Sequence, residues 1–205
     1  MKLIAATNNS GKVKEIRQIL GGFGAEIISL KEAGIELEAE ENGATFEENA
    51  LIKARAAAEI THRPVIADDS GLCVDALGGA PGIYSARYAG EDADDEARIN
   101  KLLAELSGVE KEKRTAHFVS AAALVLPDGR EFTARGTADG YIAESPCGNG
   151  GFGYDPVFVC AHTNKTYALM SAEEKNAVSH RFKALEAMRD IINKEKIDFR
   201  NMQTQ

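Results

Sequence analysis

Cysteine is scarce in this chain, and its few copies cannot build a framework. Cys73, Cys147 and Cys160 are odd in number and widely spaced, with no Cys-x-x-Cys pair. That argues against a disulfide framework or a zinc site and favours a reducing cytoplasm. Long apolar runs are missing as well. None approaches the ~18 residues that cross a bilayer. The start, Met1-Lys2-Leu3-Ile4-Ala5-Ala6, moves straight into strand-like sequence without a signal-peptide core of sufficient length, so a cytoplasmic protein with no membrane partner is expected. Positive charge is in deficit: 24 Lys and Arg stand against 32 Asp and Glu, a net charge of −8. A general nucleic-acid binder usually carries a basic surface, so nucleic acid is not an expected partner. A small polyanion still fits if cations gather locally. There is no internal repeat, low-complexity tract or obvious linker, and His62, His117 and His162 sit at no metal-ligand spacing.

What is present reads as one globular domain over 1–205, with 44% hydrophobic and 27% charged residues. A strand over 2–7 leads to a helix over 10–20, with Val13, Ile16 and Leu20 on one face and Gly21-Gly22 at its end. A strand over 26–30 and an acidic loop over 31–44 follow. Thr45-Phe46-Glu47-Glu48 then reads as a capping box for an Ala-rich helix to about residue 60. Next come a strand over 65–68 and a helix over 94–106. Strands over 115–126 and 131–137 flank Pro127-Asp128-Gly129-Arg130, a hairpin signal. A short strand over 157–161 precedes a mostly helical stretch, 171–194, that opens on a second capping box, Ser171-Ala172-Glu173-Glu174. Alternating strands and helices followed by a hairpin predict an α/β fold with a mixed sheet.

Five segments carry chemistry. In Pro64-Val65-Ile66-Ala67-Asp68-Asp69-Ser70-Gly71-Leu72, an apolar run reads as a buried strand that ends in two carboxylates. Ligand sites of α/β sheets lie beyond such strand ends. Two adjacent carboxylates repel unless a cation neutralises them, which suits Mg²⁺ with substrate phosphates. A solvated Asp-Asp-Ser-Gly turn is the competing reading. Thr7-Asn8-Asn9-Ser10-Gly11-Lys12 joins the first strand to the first helix, where free backbone N–H groups and the helix end can face an anion. It lacks the Gly-x-x-x-x-Gly-Lys frame of a Walker motif, and an ordinary N-cap with exposed lysines is the alternative. A carboxylate of Glu40-Glu41-Asn42-Gly43 could join Asp69 on a metal, and Lys53 could face phosphate; otherwise these are solvated charges. Gly148-Asn149-Gly150-Gly151-Phe152-Gly153-Tyr154-Asp155-Pro156 fits Gly-x-Gly-x-x-Gly but opens no helix, so a dinucleotide site is rejected. A loop offering Phe152 as a stacking platform and Asp155 as an acceptor competes with Phe152 in the core. Lys175, Ser179, His180 and Arg181 form a polar cluster opposite Val178, Phe182 and Leu185; Ser179 could cap a separate final helix.

Taken in order, these segments resemble the inosine/xanthosine triphosphate pyrophosphatase family. The matching motifs are Thr7-x-Asn9-x-x-Lys12, Thr45-Phe46-x-Glu48-Asn49-Ala50-x-x-Lys53-Ala54, Ala67-Asp68-Asp69-Ser70-Gly71-Leu72 and Gly79-Ala80-Pro81-Gly82-Ile83-Tyr84-Ser85-Ala86-Arg87. They continue with Gly151-Phe152-Gly153-Tyr154-Asp155-Pro156 and Glu174-Lys175-Asn176-x-x-Ser179-His180-Arg181. The resemblance implies a two-lobed Maf/HAM1-like α/β fold with a long mixed sheet, a nucleotide cleft between the lobes, and a homodimer. It also implies Mg²⁺-dependent hydrolysis of dITP, ITP and XTP to monophosphate and pyrophosphate. Glu41 and Asp69 would hold the metal, with Asp68 nearby, and Asp69 would also activate the attacking water. Lys53 would be catalytic beside Asp69, neutralising the triphosphate, and Thr7 to Lys12 (Asn8, Asn9, Ser10 and Gly11 included) and Ser70 would contact the substrate. Phe152, within Phe152-Gly153-Tyr154-Asp155, would stack on the purine. Lys175, Asp155, His180 and Arg181 would surround its 6-keto edge. The related Maf-type pyrophosphatases are disfavoured by Ser179-His180-Arg181, and a nucleotide-sensing module by Asp68-Asp69, since a polyanion binder gains little from extra carboxylates.

Overall fold

The computed structural model describes residues 2–37 and 39–200. It opens with β1 (Lys2–Ala5), α1 (Ser10–Leu20), β2 (Glu26–Ser29), α2 (Phe46–Thr61) and β3 (Val65–Val74). Then come α3 (Asp95–Glu105), β4 (Thr115–Val125), β5 (Glu131–Ile142), β6 (Phe158–Cys160), α4 (Ala172–Val178) and α5 (His180–Lys194). The strands form one mixed sheet in the order β2-β1-β3-β4-β5-β6. β1 pairs in parallel with β2 and β3, whereas β5 and β6 are antiparallel. No described helix is long and apolar enough to cross a membrane.

The helices obey their local signals. α1 buries Val13, Ile16 and Leu20, and the Asn9 side chain caps it by accepting from the N–H groups of Gly11 and Lys12. Thr45 caps α2 through Glu48 N–H, but the reciprocal half of the expected capping box is displaced: Glu48 Oε2 accepts from Ala44, not from Thr45. The box at Ser171 is complete. The 171–194 stretch breaks at Ser179, whose extended backbone (φ −74°, ψ 150°) separates α4 from α5.

Three strand expectations need correction. β1 stops at Ala5, short of residue 7, because Asn9 and its cap turn the chain into α1. β5 runs on to Ile142, where β6 gives it an antiparallel partner. β3 does not end at Asp68 but continues to Val74. Its contact with β1 covers only Val65 and Ile66. Beyond that point β1 has left the sheet, so the two aspartates lie past the carboxyl end of β1 while still inside β3.

The chain divides into two compact units. The first comprises Met1–Asp69, Ser120–Gly136 and Arg181–Gln205; the second comprises Ser70–Val119 and Thr137–His180. In the first, Leu3, Ala5 and Ile66 pack against Val13, Ile16 and Leu20 of α1 and Leu185, Met188 and Ile192 of α5. In the second, Ile99 and Leu102 of α3 share a core with Leu72, Phe118, Phe158 and Tyr167.

Candidate active site

Successive side chains of a strand point to opposite faces. Ile66 packs with α1 and α5, so Asp68 shares that face and Asp69 points the other way, toward α2. This separates two carboxylates that adjacency in sequence had placed together. Each has its own cations. Asp68, 3% exposed, takes the Lys12 ammonium at 2.9 Å and Arg181 Nε at 3.1 Å, both on Oδ2. Arg181 Nη1 also holds Glu15 at 3.1 Å. Burial alone would raise the Asp68 pKa, but Lys12, Arg181 and Lys53 outweigh it and hold the carboxyl well below the usual range.

On the other face, Lys53 Nζ lies 3.1 Å from Glu41 and 3.5 Å from Asp69. One ammonium therefore touches two carboxylates supplied by the 31–44 loop and by β3. Asn49, one turn before Lys53 on α2, donates from Nδ2 to Asp69 Oδ2 at 3.3 Å. Burial pushes the Asp69 pKa upward and Glu41 adds to this, against Lys53, Asn49 and Lys12, making Asp69 more basic than Asp68. Among the described residues no three His, Cys, Asp or Glu side chains are grouped to cage a metal. The Glu41–Asp69 pair instead fits an ion such as Mg²⁺, which needs only one or two protein carboxylates when phosphates complete its shell.

The Thr7–Lys12 segment differs from the expected array of free donors. Asn9 Oδ1 already occupies the N–H groups of Gly11 and Lys12, and Asn9 N–H donates to Thr7 Oγ1 at 3.1 Å. Helix capping has claimed these backbone groups, the Lys12 ammonium is paired with Asp68, and the side chains of Asn8, Asn9 and Ser10 remain exposed. Ser70 follows Asp69 on β3, partly buried.

In the second unit, Phe152 is 49% exposed, which rules out the reading of it as a core residue. The Lys175 ammonium lies 4.9 Å from its ring centroid. Asp155 Oδ2 accepts from Lys175 at 2.5 Å and from Phe152 N–H at 3.0 Å. The loop wraps this carboxylate so closely that a Cβ at Gly151, where φ is +77°, would fall 1.9 Å from Asp155 Oδ2. Gly153 N–H is held by Asp95. Tyr154 is buried and donates its hydroxyl to the Ser85 carbonyl, so its side chain serves the core. His180 is buried and stacks on Phe118 at 4.7 Å with rings 11° from parallel. Successive residues of a helix point about 100° apart, and Arg181 turns to Asp68 and Glu15.

The sequence motifs include Asn49 without a role for it, and Glu15 and Phe118 stand in none of them. Asn49 left a signal, because it sits on the buried stripe of α2 with Phe46, Ala50, Ala54 and Ala57. A polar residue there must find partners. Glu15 and Phe118 left none that separates them from ordinary surface and core.

Fold and site define a mixed-sheet α/β protein with charge-paired carboxylates where its first parallel strand ends. The chain belongs to the Ham1 family, whose pattern it matches over residues 3–191. It is 52% identical over 189 residues to a dITP/XTP pyrophosphatase of Bacillus subtilis, covering 92% of this chain and 96% of that one. A dITP/XTP pyrophosphatase of Symbiobacterium thermophilum is 53% identical over 184 residues, covering 90% and 91%. The structure of the Staphylococcus aureus Ham1 protein superposes with a TM-score of 0.87 at 42% identity, covering 95% of this chain and 100% of that one. A nucleoside-triphosphatase / dITP/XTP pyrophosphatase from Mycobacterium abscessus gives a TM-score of 0.77 at 47% identity, covering 92% and 98%.

Proposed function

We propose that this chain is a Mg²⁺-dependent pyrophosphatase that hydrolyses dITP, ITP and XTP to the monophosphate and pyrophosphate, clearing deaminated purines from the nucleotide pool. The observation that carries the reading is the partly buried Lys53 ammonium touching both Glu41 and Asp69, in a chain about half identical to dITP/XTP pyrophosphatases. Glu41 and Asp69 would hold Mg²⁺, which supplies charge neutralisation at the phosphate oxygens. Asp69, raised in basicity by its burial, orients the water and accepts its proton as that water attacks the α-phosphorus. Lys12, Lys53, Asn9 and Ser70 meet the triphosphate. Phe152 stacks on the purine, a contact worth about 1–3 kcal/mol for an aromatic platform. Lys175, Asp155 and His180 read the 6-keto edge, and Arg181, with Nε and Nη1 engaged by Asp68 and Glu15, offers Nη2. Inosine and xanthine present an acceptor at position 6 where adenine presents a donor, and Arg can only donate. A homodimer acting in the cytoplasm completes the proposal, on the strength of the family resemblance.

Attack at the α-phosphorus has a direct test. Hydrolysis of ITP in ¹⁸O-labelled water is expected to place the label in IMP, with pyrophosphate unlabelled. Label confined to pyrophosphate, or IDP as the first product, would refute the mechanism.

A further inference from the structure

Asn49 has no exposed surface, yet it lies on the apolar stripe of α2. Burying a carboxamide there costs free energy unless its donors and acceptors are satisfied. They are spent in two directions. Oδ1 accepts from Gly43 N–H at 2.8 Å, and Nδ2 donates to Asp69 Oδ2 at 3.3 Å. The reverse orientation would set NH₂ against N–H on one side and oxygen against a carboxylate on the other, so the network decides which way the amide faces. Gly43 is two residues beyond Glu41. A Cβ at Gly43 would fall 2.7 Å from Asn49 Oδ1 and 3.0 Å from the Asn49 nitrogen, so this close approach needs a residue without a side chain.

We propose that Asn49 is a positioning residue that sets Glu41 and Asp69 relative to each other for the metal ion. The inference rests on the Glu41–Asp69 metal reading given above. One side chain ties the backbone that carries Glu41 to the carboxylate of Asp69. A role in capping the loop would be met by Oδ1 alone. The bond from Nδ2 to Asp69 is the part that capping does not require, and it restrains which Asp69 oxygen faces Glu41 and Lys53. Groups that hydrogen-bond metal ligands commonly govern metal affinity by about 10–100-fold.

The probe is Mn²⁺, titrated by calorimetry into the full-length protein with and without pyrophosphate, for wild type, Asn49→Ala, Gly43→Ala, the double variant and Glu41→Gln. Asn49→Ala and Gly43→Ala are each expected to weaken Mn²⁺ about tenfold or more. Because both cut the same tie, the double variant should be no weaker than the worse single one. At saturating metal, the KM for ITP should move much less than the metal affinity, which a general loss of structure would not reproduce. Unchanged Mn²⁺ affinity in both single variants, or additive losses in the double, would overturn the proposal. Glu41→Gln separates the two levels. If it weakens Mn²⁺ while Asn49→Ala does not, the positioning role alone fails. If Glu41→Gln leaves Mn²⁺ unaffected, the metal site itself is misplaced and the role of Asn49 falls with it. Should Asn49→Ala not fold by circular dichroism, Asn49→Ser and Gly43→Ala carry the same expectation.

Discussion

Asp69→Asn is expected to lower turnover of ITP by ~10²–10⁴ while the protein folds normally, the range typical of losing a general base. Asparagine keeps the shape of the side chain and can still accept from Asn49 Nδ2. It removes the negative charge that faces Lys53 and the basicity that burial confers on Asp69. The loss should persist at saturating Mg²⁺, because restoring metal occupancy does not restore the base. Steady-state assays at several Mg²⁺ concentrations, with circular dichroism as the control for folding, measure it. Near-normal turnover of the folded variant would remove Asp69 from the reaction.

Asp68→Ala should act through stability. Its carboxylate neutralises Lys12 and Arg181 on the α1/α5 face, and only Glu15 would remain to answer Arg181. Removing one partner of a buried pair leaves an uncompensated charge, at a cost of about 3–5 kcal/mol. Urea unfolding reads this as a lower midpoint with little change in slope. The pH dependence has a definite sign. The folded pKa of Asp68 is depressed, so its contribution is complete above the unfolded value of about 3.9 and is lost as pH falls below that toward the folded value. The stability difference between wild type and Asp68→Ala should therefore be flat near neutrality and shrink under acid. A variant with the wild-type midpoint at neutral pH would show that the pair contributes nothing net.

These two substitutions change neighbouring residues of one strand and are expected to fail in different ways. The reason is strand alternation, which no reading of Asp68-Asp69 as a strand-ending acidic turn contains. Once β3 is seen to run from Val65 to Val74, the period of two assigns Asp68 to the α1/α5 side and Asp69 to the α2 side. His180 and Arg181 are adjacent too, yet the first stacks on Phe118 and the second pairs with Asp68 and Glu15.

The sequence by itself determined whatever depends on near neighbours in the chain. α1 begins at Ser10 and ends at Leu20 as its cap and apolar spacing dictate, and α2 and α3 start behind Thr45 and Asp94. The ordered motifs also sufficed to place the chain in its family, since each motif is local and only their order along the chain was needed. Tertiary structure decided which carboxylate meets which cation. Lys12 to Asp68, Lys53 to Glu41 and Asp69, and Arg181 to Asp68 are contacts between residues far apart in sequence. So is the Gly43–Asn49–Asp69 tie, which joins a loop, a helix and a strand. Composition can supply such partners, but ion pairs act over a few ångströms, and only the packing of α1, α2 and α5 brings the charges that close.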